Sequence, residues 1–161
     1  MERIASFCVD HTKLDRGMYL SRQDGDVLTW DIRMKKPNHG DYLSTGAAHT
    51  LEHLFATYAR NSAFKDSVIY VGPMGCRTGF YFLTRGITHQ QALDLFRDTL
   101  EFISTFDAPI PGAQSSRECG NWLEHDLPVG RFKLGVVERN LAHCADRAAC
   151  FDRITDAERM R

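Results

Sequence analysis

The stretch His49-Thr50-Leu51-Glu52-His53 carries two imidazoles and a carboxylate within little more than one helical turn. Side chains three and four positions apart are neighbours on a helix, so His49 and His53 can grip one metal ion while Glu52 stands beside whatever the ion activates. The H-x-x-E-H order is that of inverted zinc peptidases, in which the carboxylate is the general base. A third ligand must come from elsewhere, and Cys119 in Glu118-Cys119-Gly120-Asn121 fits best, a thiol flanked by Gly and Asn at a turn. Two His and one Cys leave a fourth tetrahedral position open, the arrangement of catalytic rather than structural sites. Cys76 is the other thiol in a chemical setting. It sits beside Arg77 in a glycine-rich turn, where a neighbouring cation lowers a thiol pKa. Cys8, Cys144 and Cys150 read as small buried apolar residues.

The elements that position these groups are legible from periodicity. Residues 19–22 and 27–34 read as two strands joined across Asp24-Gly25, a dipeptide that tolerates the positive φ of hairpin turns. In the second strand Leu28, Trp30, Ile32 and Met34 alternate with Thr29, Asp31 and Arg33, which puts Arg33 on the face away from the apolar set. Residues 35–46 read as a loop, and Ser44 or Thr45 can cap the helix that carries His49. Leu51, Leu54, Phe55 and Tyr58 supply its buried stripe, with Asn61 as the stop. Residues 68–71 and 80–84 read as two more strands flanking the Gly72 to Gly79 turn. Thr88 and Gln91 make a capping box ahead of a second, structural helix that Asp107-Ala108-Pro109 ends. Another helix is expected from about 129 towards 141. The fold class is therefore α+β, an antiparallel sheet of about four strands packed against helices.

Composition narrows the function. With 161 residues the chain reads as one domain over 1–161, and 20 Lys+Arg against 21 Asp+Glu leave no electrostatic footprint for nucleic acid or an anionic membrane. Neither a secretory signal nor a membrane span stands out in the sequence. Five Cys without a regular framework point to a reducing compartment, the cytoplasm.

Four motifs together resemble the S-ribosylhomocysteine lyases of the autoinducer-synthesising type. They are Ser6-Phe7 with Asp10-His11-Thr12-Lys13, then Asp31-Ile32-Arg33, then His49 to His53, and Pro73-Met74-Gly75-Cys76-Arg77-Thr78-Gly79-Phe80-Tyr81 with Glu118-Cys119-Gly120-Asn121 downstream. The resemblance runs over about residues 3–130, and 131–161 diverge. It implies one divalent metal per subunit, iron with zinc as the alternative, held by His49, His53 and Cys119. It implies Glu52 and Cys76 as the catalytic acid/base pair, Arg33 on the homocysteine carboxylate, and a homodimer in which Ser6 and His11 reach into the neighbouring active site. The sequence departs from the family at Tyr70, where an acidic residue is common, and at Trp122, where Tyr is usual.

Two other functions share part of this pattern. An inverted-zincin metallopeptidase would want a downstream glutamate as third ligand and leaves Cys76 and Cys119 without work. A binding module with a structural metal needs a fourth protein ligand, Cys76 or His125, and a closed site.

Overall fold

The computed structural model describes residues 9–128. Ser6, Cys8, Cys144, Cys150 and the helix expected after 129 lie outside them. Strands β1 (Gly17–Asp24) and β2 (Val27–Arg33) form the first hairpin, with Gly25 at φ 61° in its turn. Helix α1 (Thr45–Asn61) follows, then a 3-10 turn (Lys65–Ser67), strands β3 (Val68–Pro73) and β4 (Gly79–Arg85), and helix α2 (His89–Thr105). The four strands make one sheet in the order β1-β2-β4-β3, every neighbouring pair antiparallel. The expected α+β class and strand count hold, each of the four strands differing from its expected span by one to four residues.

Alternation decides the two faces of the sheet. Trp30 pairs with Phe82 and Ile32 with Phe80, and these four are at most 2% exposed beneath the helices. The Phe55 ring of α1 meets those of Phe82 at 5.2 Å and Phe96 of α2 at 5.5 Å, so one aromatic cluster joins sheet and both helices. Trp30 Nε1 donates to Thr84 Oγ1 at 2.9 Å, which satisfies the indole within the core. On the opposite face Asp31 pairs with Tyr81, which pairs with Gly72. Arg33 lies on that face as expected, yet it is only 3% exposed.

Capping follows the sequence closely. Ser44 is the N-cap of α1, its hydroxyl accepting from Ala47 N at 3.2 Å, and the helix ends at Asn61. Both halves of the Thr88–Gln91 capping box open α2. Among the described residues no helix is long and apolar enough to cross a membrane.

Gly79 stands where β4 passes β2, opposite Arg33, and a Cβ there would lie 1.8 Å from the Ile32 carbonyl oxygen. Neither backbone can yield without parting the strands. Gly79→Ala should therefore cost about 2–4 kcal/mol and lower the thermal midpoint by roughly 5–15 °C, whereas Gly86→Ala should cost only about 1 kcal/mol. Gly86 has φ 67° but open space around it. Equal midpoints for the two variants in thermal unfolding would show that the strands adjust freely.

Candidate metal centre and thiol site

His49 and His53 lie on successive turns of α1, and each imidazole is aimed by a backbone carbonyl outside the helix. His49 Nδ1 is 3.0 Å from the Glu124 carbonyl oxygen and His53 Nδ1 is 2.9 Å from that of Pro111. A ring nitrogen facing a carbonyl must carry the proton, which leaves both Nε2 lone pairs free to bind a metal. Cys119 Sγ lies 3.3 Å from His49 Nε2. Sulfur and nitrogen ligands on one tetrahedral ion stand about 3.6 Å apart, so the spacing suits a shared ion. One ligand atom from each of His49, His53, Cys119 and His125 lies within 4.8 Å of the others. The donor set, two or three imidazoles and a thiolate, fits a borderline-soft divalent ion.

The segment 107–126 that supplies these partners has no long regular element, and specific contacts dock it on α1. Glu124 bridges the Thr45 hydroxyl and the Asn121 side-chain amide. Asp126 N donates to Thr50 Oγ1 at 2.9 Å. Gly112, at φ 71°, lets its loop lie against His53, where a Cβ would sit 3.5 Å from Nδ1. The expectation of Cys119 beside the two histidines is thus realised in space. His125 enters as well, stacked on His49 with ring centroids 4.1 Å apart. Burial pushes its imidazole pKa down, and His49 and His53 push it further. Its signal in the sequence was only a His six residues after Cys119.

Glu52, half-buried on α1, follows His49 by three positions and makes no hydrogen bond or ion pair among the described residues.

The second chemical group is the exposed Cys76 thiol in the β3–β4 turn. Arg33 Nη1 donates to Thr78 Oγ1 at 2.6 Å, and Thr78 Oγ1 lies 3.0 Å from Cys76 Sγ. Because the threonine oxygen accepts from arginine, its own proton is free to go to sulfur. Arg33 Nη1 also reaches Sγ directly at 3.6 Å. Desolvation pushes the thiol up, but the Thr78 hydroxyl, the Thr78 backbone N–H and then Arg33 outweigh it and hold the pKa below the ordinary thiol value. The lowered pKa expected from Arg77 is present, with a different cause. Arg77 instead takes φ 58° in the turn, and the cation at sulfur comes from β2.

Arg33 is itself held by Asp31, Nη2 donating to Oδ2 at 2.7 Å and Nε lying 2.7 Å from Oδ1. Burial disfavours its charge, but the Asp31 contacts prevail and keep the guanidinium cationic. The bidentate edge expected to take a substrate carboxylate therefore faces Asp31. His11 Nδ1 is 3.0 Å from the Val9 carbonyl oxygen. Tyr70 is 49% exposed, and its phenol lies over Gly72, where a Cβ would overlap the hydroxyl oxygen.

Backbone bonds join the two sites. Met34 N and Lys35 N both donate to the Thr78 carbonyl oxygen at 2.9 Å, and Leu43 N donates to that of Arg77 at 3.0 Å. The thiol turn is thereby fastened to the residue next to the Ser44 cap of α1.

The chain is similar to several S-ribosylhomocysteine lyases over most of its length. The S-ribosylhomocysteine lyase of Porphyromonas gingivalis is 47% identical over 139 residues, covering 83% of this chain and 87% of its own. That of Phocaeicola vulgatus is 45% identical over 139 residues, covering 83% and 86%. The S-ribosylhomocysteine lyase of Desulfotalea psychrophila is 41% identical over 158 residues, covering 89% and 99%. Residues 4–144 match the family described as S-ribosylhomocysteinase (LuxS), and the chain belongs to that family.

Proposed function

We propose that the protein is a carbon–sulfur lyase that cleaves S-ribosylhomocysteine to homocysteine and 4,5-dihydroxy-2,3-pentanedione, the precursor of autoinducer-2. The observation that carries this reading is the Cys76 thiol, held low in pKa and fastened by backbone bonds to the helix of the His49, His53 and Cys119 cluster.

The substrate's sulfur hangs on C5 of an open ribose whose carbonyl starts at C1, too far to acidify the C4 proton. Two enolisations must first move that carbonyl to C3. His49, His53 and Cys119 would hold a divalent ion, iron or zinc, whose chemistry there would be Lewis acidity. Cys76 as thiolate removes each carbon-bound proton and returns it to the neighbouring carbon, while Glu52 moves protons between the two oxygens. With the ketone at C3, loss of the C4 proton sends its electron pair into a C4–C5 double bond as the C5–S bond breaks. Sulfur leaves with the bond electrons and is protonated to homocysteine, and the enol left behind tautomerises to the diketone. Arg33 serves first as the cation that steadies the thiolate, and substrate contact is a second role proposed for it. We place Ser6 and His11 across a two-fold interface in the partner's site, and the enzyme in the cytoplasm.

Chelation should abolish release of free thiol from S-ribosylhomocysteine while far-ultraviolet circular dichroism stays largely intact, because the aromatic core of sheet and helices contains no metal ligand. Global loss of structure on chelation would favour a structural metal. Thiol release by the untreated protein is the experiment that tests the activity itself.

Cys76→Ala and Glu52→Gln should each lower turnover by at least about a hundredfold with metal content unchanged. Thr78→Val gives a subtler test. The folded thiol pKa lies below its ordinary value, so the working thiolate is lost only as pH falls through that lowered pKa. Removing the hydroxyl donor raises the pKa, and the acid limb of kcat/KM should move to higher pH, together with the pH dependence of Cys76 alkylation by iodoacetamide. An acid limb that stays in place would show that Thr78 does not tune the thiol.

The shared site predicts complementation. His11→Ala and Cys76→Ala homodimers should both be nearly inactive, whereas a mixed dimer has one site with both defects and one with neither. Co-expressed with different tags and purified, the mixed dimer should regain roughly half of wild-type activity per dimer. No gain over the parents would exclude the interface role of His11.

A further inference from the structure

His125 belongs to the cluster but has no part in the reaction described above, although its position is closely built. Its backbone passes close to α1 at Gly46, where a Cβ would stand 3.6 Å from the His125 carbonyl carbon. One turn on, Thr50 accepts the Asp126 N–H at 2.9 Å. The imidazole stacks on His49 at an interplanar angle of 24° and meets His53 edge-on, with ring centroids 5.1 Å apart. Its Nδ1 is 3.3 Å from Thr50 Oγ1, while its Nε2 is buried with no hydrogen-bond partner among the described residues.

Thr50 offers Nδ1 a proton. Its side chain is fully buried, its oxygen already accepts Asp126 N–H, and its own proton has His125 Nδ1 within reach as acceptor. An imidazole that accepts at Nδ1 carries its proton at Nε2. Nε2 is then a donor and not a metal ligand, which keeps the fourth position of the ion open. A buried donor with no acceptor is costly, so a group entering the site must take this bond.

We propose that His125 is a further catalytic residue, whose Nε2–H donates to a hydroxyl or carbonyl oxygen of the substrate on the open side of the His49, His53 and Cys119 cluster. Enolisation builds negative charge on that oxygen, so the bond strengthens towards the transition state and acts on kcat more than on KM. This assignment rests on the metal reading above.

His125→Phe keeps the ring stack on His49 and removes the donor, and His125→Gln restores an N–H near the same place. With cobalt(II) as the probe ion, wild type and both variants should bind one ion per chain and show the same d–d and thiolate-to-cobalt absorption. Turnover of His125→Phe should fall on the order of a hundredfold with KM little changed, and His125→Gln should recover part of it. An altered cobalt spectrum or loss of ion in both variants would overturn the proposal by making His125 a ligand. Full turnover in His125→Phe would overturn it as well. Absence of the thiolate-to-cobalt band in wild type is a separate result, since it removes the metal reading on which the assignment stands.

Discussion

The orientation of two imidazoles by two backbone carbonyls is the constraint on which the rest depends. Helical spacing brings His49 and His53 to one face, but each ring could still turn either nitrogen inward. The Glu124 and Pro111 carbonyls remove that freedom by holding Nδ1–H outward. Both carbonyls belong to the segment 107–126, which has little regular structure of its own. The metal centre is therefore only as well formed as the docking of that segment on α1. Each docking bond contributes about 0.5–1.5 kcal/mol, and loss of a ligand's outer partner typically weakens metal affinity by about 10–100-fold. Ion binding adds to the same account, since an ion that needs Cys119 beside the histidines stabilises the docked segment by linkage.

The thiol site obeys a different constraint, that of a buried charge. Arg33 is only 3% exposed, and an unpaired guanidinium at that depth would cost several kcal/mol. Asp31 two residues earlier on the same strand face pairs with it, Nε lying 2.7 Å from Oδ1. The Thr78 hydroxyl and N–H lower the thiol pKa more than Arg33 does. Arg33 polarises Thr78, and Thr78 passes a proton donor to sulfur. The thiol remains exposed and able to meet substrate, while the charge that stabilises it stays out of water.

Much of this was legible in the sequence, and the boundary of legibility is physical. Periods of 2 and 3.6, the Ser44 cap, the Thr88–Gln91 box and the Asp24-Gly25 turn are local signals, and each appears where the sequence puts it. His49, His53 and Cys119 were legible because metal chemistry demands those residue types. Arg33 was expected to be turned from the core, but its burial was not foreseen, since alternation gives a face and not its depth. The acidification of Cys76 was expected from Arg77, the neighbour in sequence. The cation that acts is 43 residues away, because sheet register and not chain proximity sets distance. The carbonyls of Pro111 and Glu124 had no sequence signal, since every residue has one. His125 had a weak signal, and only the absence of a partner for Nε2 distinguishes it.

Charge counting connects the two sites. Imidazoles bind a metal as neutral ligands and a thiol binds it as thiolate, so His49, His53 and Cys119 would bring a single negative charge to an ion they held. A divalent ion there retains one unit of net positive charge, in contrast to a four-thiolate structural site, which would be negative. That excess suits a reaction in which negative charge appears on substrate oxygens at successive carbons. At Cys76 the nearby cation is Arg33, whose Nη1 lies 3.6 Å from the sulfur. Arg33 lies on β2 and the imidazoles of the cluster on α1, so the two centres of positive charge would stand on different elements.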